Sequence, residues 1–207
     1  MGNLACVYAK PVSPRGLWEL GLAELFFRHE VDLNGAAFHI PKTLLTMVGA
    51  IGIGDPEYSH DKAYYDTLRY LGSLYAGLLR DEPGPRMSLR VMTWLTFVPD
   101  QFIELGRQYR PRALVILAYY SMFLTTVRDI WWIQGIGDCA IRDILKYLTD
   151  DAWSANLALR RSALSLDCGL NVAKLLLDDL NWEPPASYAS DNTHTRQSTS
   201  SDNYDYP

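Results

Sequence analysis

Four histidines, three cysteines and one glycine-rich string are the residues of this 207-residue chain with types suited to chemistry. His29, His39, His60 and His194 have no paired carboxylate or thiol at metal-ligand spacing. Cys6, Cys139 and Cys168 lie far apart and are odd in number. They form neither a zinc-ligand pattern nor a disulfide framework, and a reducing compartment is the simpler expectation. No H-E-x-x-H, G-x-S-x-G or Walker string occurs. Gly135-Ile136-Gly137-Asp138-Cys139-Ala140 does fit the relaxed dinucleotide fingerprint G-x-G-x-x-A. That fingerprint works only where a strand leads into a helix whose N-terminus meets the pyrophosphate. Here a long apolar helical run precedes it, so the expected role of the glycines is a sharp helix-to-helix turn. Gly135 would close the central helix as its C′ residue and Asp138 would cap the next one. No metal and no cofactor is expected.

Two further groups have a functional and a structural reading. Arg128-Asp129 could orient a polar group of a ligand, but an inter-helix or solvated salt bridge is the commoner use of such a pair. Tyr119, Tyr120, Phe123, Trp131 and Trp132 read first as core. Their polar tips need partners when buried, and a set of this kind also lines pockets for flat apolar ligands. With Gly135 and Gly137 they make up the candidate ligand-binding set. His29, on an apolar stripe, reads as a core or rim histidine rather than a ligand.

The elements that must position these residues are helical. Apolar residues are 48% of the chain and charged residues 21%, enough for one packed core. A net charge of −5 argues against a broad phosphate-binding surface. Ala113–Leu124 is the longest apolar run, broken only by Ser121; it is too short for a bilayer span of roughly 20 residues and predicts a buried core helix. The first thirty residues carry no secretory pattern, and Met1-Gly2 with Cys6 only half-matches a myristoylation signal. Helical spacing predicts segments from Ser13-Pro14 to Val31, over 42–51 after Pro41, over 60–80, 89–97, 100–108, 136–148 and 153–166, and over 170–180. Tyr64, Leu68, Leu71, Tyr75 and Leu78 form the apolar face of the 60–80 helix. Gly52–Pro56 and Pro83-Gly84-Pro85 break the chain. Segment 89–97, rich in β-branched and aromatic residues, reads as helix because a lone strand would lack a partner. The expected architecture is all-α: a single helical domain over 1–183 around a buried central helix at about 111–133. A polar tail over 184–207 is expected to be disordered.

The order Tyr64…Leu68…Leu71-Gly72…Tyr75, then Leu89-Arg90-Val91…Trp94…Phe97-Val98-Pro99…Phe102, then Arg110-Pro111-Arg112-Ala113-Leu114-Val115-Ile116-Leu117-Ala118-Tyr119-Tyr120, with Trp131-Trp132…Gly135…Gly137, resembles the C-terminal domain of fungal zinc-cluster transcription factors, the sterol uptake control type most of all. The resemblance covers roughly Tyr64 to Leu148. It implies an all-helical regulatory domain, in the nucleus or cytoplasm, that binds a sterol or other lipid-like metabolite. It also implies pairing, with itself or with a full-length transcription factor. In that family a six-cysteine binuclear zinc cluster reads the DNA. This sequence has three scattered cysteines, so no direct nucleic-acid contact is expected. The missing catalytic strings favour a non-enzymatic module. The alternative is a stand-alone pocket protein or enzyme of fungal secondary metabolism that acts on an apolar metabolite by positioning, with Asp129 or Tyr120 as acid or base.

Overall fold

A computed structural model describes residues 37–81, 85–127, 130–150, 153, 157, 162–166 and 168–184. The expected helix ending at Val31, the Arg128-Asp129 pair, most of segment 153–166 and the tail beyond Pro184 lie outside the described residues. Within them the chain is all-α, with no strand. The helices are α1 (Lys42–Gly49), α2 (Asp61–Asp81), α3 (Pro85–Phe97), α4 (Asp100–Arg107), α5 (Pro111–Thr126), α6 (Ile136–Tyr147) and α7 (Gly169–Leu177). Short 3₁₀ turns at Ala37–His39 and Tyr58–His60 precede α1 and α2.

Proline punctuates this order. Pro41 and Pro99 stand at the N-caps of α1 and α4, and Pro85 and Pro111 open α3 and α5, where a missing N–H costs nothing. Helix α4 turns into α5 through a Schellman closure: the Arg110 N–H donates to the Leu105 carbonyl and the Tyr109 N–H to that of Gly106. Tyr109 sits there at φ 56°, a left-handed conformation that glycine usually takes. Its ring stacks on Tyr147 at 4.9 Å, joining the start of α5 to the end of α6.

Helix α5 is the centre of the bundle. It is apolar on all sides, as a helix packed on all sides must be, and it contacts α1, α2, α3, α4, α6 and α7. The apolar face expected on α2 is buried from Tyr64 to Leu78. Segment 89–97 is helical, within α3, and its Trp94 stacks on Tyr120 at 4.2 Å. Phe102 of α4 meets Trp94 and Tyr64 edge-on, so α2, α3, α4 and α5 share one aromatic seam.

The central helix is shorter than its sequence suggested. It ends at Thr126, where Val127 leaves helical geometry (φ −95°, ψ 69°). The Thr125 and Thr126 hydroxyls donate to the Met122 and Phe123 carbonyls, competing with the backbone ladder in the last turn. Gly135 is therefore not the C′ residue of α5. It is the N-cap of α6, at φ 80°. Asp138 is not a cap either; it lies in the first turn of α6, where a carboxylate suits the helix dipole. Gly137 has a different task. A Cβ there would lie 2.5 Å from the Ser121 carbonyl oxygen and 2.9 Å from the Thr125 nitrogen, so only glycine lets α6 cross α5 this closely.

Candidate functional site

A cleft of ≈ 630 Å³ opens between the start of α1, the C-terminal half of α2 and the end of α7. Its size suits a small-molecule ligand, for which roughly 300–1,000 Å³ is usual. Helix α2 contributes Tyr75 and Leu79, α7 contributes Leu175, Leu176 and Leu177, and Trp182 follows from the chain beyond. These make an apolar wall. Within the lining, buried Tyr119 of α5 and exposed Thr43 of α1 share one hydrogen bond between their hydroxyls, at 2.6 Å. Whichever hydroxyl donates, that of Thr43 keeps a lone pair that can accept from a further hydroxyl.

The rim is polar. His39 and Lys42 stand at the α1 end, Asp178 and Asp179 at the α7 end. Asp178 owes its place to a second Schellman closure, in which the Asp179 N–H donates to the Lys174 carbonyl. That closure holds Asp178 at φ 52°, a left-handed conformation that aspartate tolerates better than most residues.

Arg112, the second residue of α5, ties the helix to the loop before α2. Its guanidinium donates to Asp55 Oδ2 and Glu57 Oε2, both at 2.7 Å. Asp55 also accepts the Glu57 backbone N–H at 2.8 Å. That backbone bond is the main reason the Asp55 carboxyl titrates below its ordinary value, with Arg112 adding to it. Burial works against the Arg112 charge, but Glu57 and Asp55 more than offset it and hold the guanidinium protonated. The Tyr64 hydroxyl lies in the same buried region; burial first and the Glu57 carboxylate second push its pKa up. The apolar sequence around Arg112 gives no sign of this clamp, because its acidic partners are more than fifty residues away.

The candidate set from the sequence is only partly brought together. Tyr119 lines the cleft. Phe123, one turn further along α5, packs edge-on against Tyr75 at 4.9 Å and backs the cleft wall. Tyr120 faces another way: its hydroxyl donates to the Val91 carbonyl at 2.9 Å, and burial raises its pKa. Its proton is committed to the core and is not turned toward the cleft. Trp131 and Trp132 are 83% and 56% exposed, in the turn before α6. The expectation that they belong to the buried aromatic cluster is corrected, because the end of α5 at Thr126 leaves them beyond the bundle. Gly135 and Gly137 shape that turn and the α5–α6 crossing, and neither borders the cleft. The residues that sequence reasoning missed are Thr43, Leu79, Leu175, Leu176 and Trp182. Only tertiary packing gathers them, and none carried a local signal.

No helix among the described residues is long and apolar enough to cross a membrane. Nor do any three His, Cys, Asp or Glu side chains among them cluster as metal ligands would. What fold and cleft define is a class: an all-α bundle with an apolar cleft lined in part by a neutral hydroxyl pair. Searches of protein-family profiles, curated proteins and solved structures find no match to this chain.

Proposed function

We propose that this chain is a ligand-binding regulatory module whose cleft takes an apolar, sterol-like molecule, in keeping with its resemblance to the C-terminal domain of fungal zinc-cluster transcription factors. One observation carries the reading: leucine, tyrosine and tryptophan side chains wall a cleft in which the hydroxyls of Thr43 and Tyr119 meet. A rigid apolar body with one hydroxyl matches that arrangement. Its surface is desolvated against Leu79, Leu175 and Leu176, and its oxygen joins an existing hydrogen bond. Regulation follows from position, since the ligand would span α1, α2 and α7 against α5 and favour the closed bundle. A partner, a second copy or a full-length transcription factor, would read that state.

Thermal unfolding with a panel of sterols and polyketides tests this. A ligand at a hundred times its Kd adds about 2.7 kcal/mol of stability. For a chain of this size that raises Tm by about 5–10 °C. Thr43→Val and Tyr119→Phe are expected to weaken binding without unfolding the protein. No stabilisation by any panel member, together with no partner recovered in a pull-down, leaves the proposal without support.

A further inference from the structure

Beside the polar rim residues of the cleft stand apolar ones that remain in water. Leu79, in the wall, is 39% exposed. Phe38, next to the lining residue His39, is 89% exposed, and Leu180, next to Asp179, is 78% exposed. A small molecule held inside the cleft would leave Phe38 and Leu180 uncovered. An apolar mouth that extends past the lining fits a longer cover, and exposed apolar patches mark sites of protein contact.

The chain carries such a cover. The turn Ala37–His39 packs on α2 and its His39 lines the cleft, so the preceding residues enter at the mouth. Within 14–31, Trp18, Leu22, Leu25 and Phe26 recur at helical spacing, with Glu24, Arg28 and Glu30 off that stripe. Asn34-Gly35 is a turn signal that lets the segment double back. The connector from Val31 to Ala37 reaches at most roughly 20 Å. A helix over 14–31 would be about 27 Å long, enough to cross the mouth from the α1 end to the α7 end. Its first turn, with Arg15 and the free N–H groups that begin any helix, would then meet the acidic rim at Asp178 and Asp179. The C-terminal tail also leaves from the cleft, beyond Trp182. Residues 185–207, however, hold no Leu, Ile, Val, Met, Phe or Trp and have no apolar face to offer.

We infer that the mouth of the cleft is the seat of the chain's own N-terminal segment, residues 14–31, which lies across it as a helix and closes it. The mode is that of an apolar helix stripe laid into an apolar groove. Because the segment is tethered by a short connector, its effective concentration is on the order of 1 mM. An intrinsic affinity of only about 0.1 mM then keeps it seated about nine-tenths of the time. A ligand of the cleft would have to displace the segment, which makes the segment a competitive brake on binding. That consequence rests on the proposed function; the seat itself does not.

Hydroxyl-radical footprinting of the full 207-residue chain, read by mass spectrometry, tests the seat. The double change Leu22→Asp, Phe26→Asp puts two charges on the stripe. It is expected to raise oxidation of Phe38, Leu79 and Leu180 by up to about tenfold, the ratio of seated to open chain. Glu24→Gln, off the stripe, is expected to leave oxidation unchanged. A second measurement stands even if the double variant fails to fold: a benzophenone amino acid in place of Phe26 is expected to crosslink, within one chain, to residues 38–43, 75–79 or 175–182. Oxidation that the two charges do not alter overturns the inference. So does crosslinking to any other surface of the same chain, and so does crosslinking between chains, which makes the cover a second copy. If the footprint and crosslinks appear as expected while no sterol binds either protein, the proposed function fails and the seat stands.

Discussion

Gly137→Ala is the sharpest perturbation the fold offers, because two effects of known sign oppose each other there. Alanine is the better helix former by about 0.5–1 kcal/mol, so an uncrowded helical glycine gains from the change. At Gly137 the added Cβ would stand 2.5 Å from the Ser121 oxygen, 2.7 Å from Thr125 Cγ2 and 2.9 Å from the Thr125 nitrogen. Two of these three atoms are backbone of α5 and cannot rotate away. Overpacking of a filled site costs about 1–3 kcal/mol, and an unyielding neighbour places this case toward the upper end. The net expectation is a loss of about 1–2 kcal/mol, or a Tm lower by about 2–8 °C for a chain of this length. Urea unfolding followed by far-UV circular dichroism measures it. Gly52→Ala and Gly54→Ala are the controls: neither would meet an atom within 4 Å, and neither has a left-handed φ. They should be neutral or stabilising by up to about 1 kcal/mol. Gly135→Ala separates conformation from crowding, since its surroundings are open but its φ is 80°; strain alone should cost about 1 kcal/mol. A Gly137→Ala protein as stable as the unmodified chain would refute the close α5–α6 crossing, and with it the steric need for glycine at that position.

The Arg112 clamp gives a second test. Arg112→Met strands the Glu57 carboxylate, which is 5% exposed, and is expected to cost about 2–3 kcal/mol in urea unfolding, less than for a fully buried pair. Asp55 titrates below its ordinary value of 3.8. Its contribution is therefore complete above that pH and is lost as pH falls through the lower folded value; acid titration of stability should show a fall there that Arg112→Met reduces. At the alkaline end the sign reverses. Tyr64 and Tyr120 are raised above the usual tyrosine value of 10.0, so they favour the folded state below about pH 10 and oppose it as pH rises further. Ultraviolet titration should find both still protonated after the exposed tyrosines have ionised. Finally, Trp94→Ala, which removes a buried ring stacked on Tyr120, should cost about 3–5 kcal/mol. Trp131→Gln should change stability by less than about 0.5 kcal/mol.

Much of the helical frame is legible in the sequence because its signals are local. Prolines mark the starts of α1, α3, α4 and α5, and the α2 face can be read from a single repeat of apolar spacing. Segment 89–97 is legible as helix only through its neighbours, since its own residues favour a strand. The C-terminal end of α5 is not legible. Beyond Arg128-Asp129 apolar residues resume from Ile130 to Ile133, yet the helix ends at Thr126, where the Thr125 and Thr126 hydroxyls bond back to the last turn. The site is obscured too. Tyr119 stands out because it lies in an aromatic run, while Thr43, Lys42 and Trp182 look ordinary in sequence and become a cleft only through the packing of α1, α2 and α7 around α5.

The position of α5 also makes it a gauge. With α1, α2, α3, α4, α6 and α7 all against it, water reaches its backbone only when the whole bundle opens. Amide protons from Val115 to Phe123 should then be the slowest in the chain to exchange with deuterium, at a rate set by global opening. A ligand seated over Tyr119 slows that opening in proportion to its occupancy. Deuterium uptake along this one helix therefore gives the strength of binding directly, with no label and no assay of function.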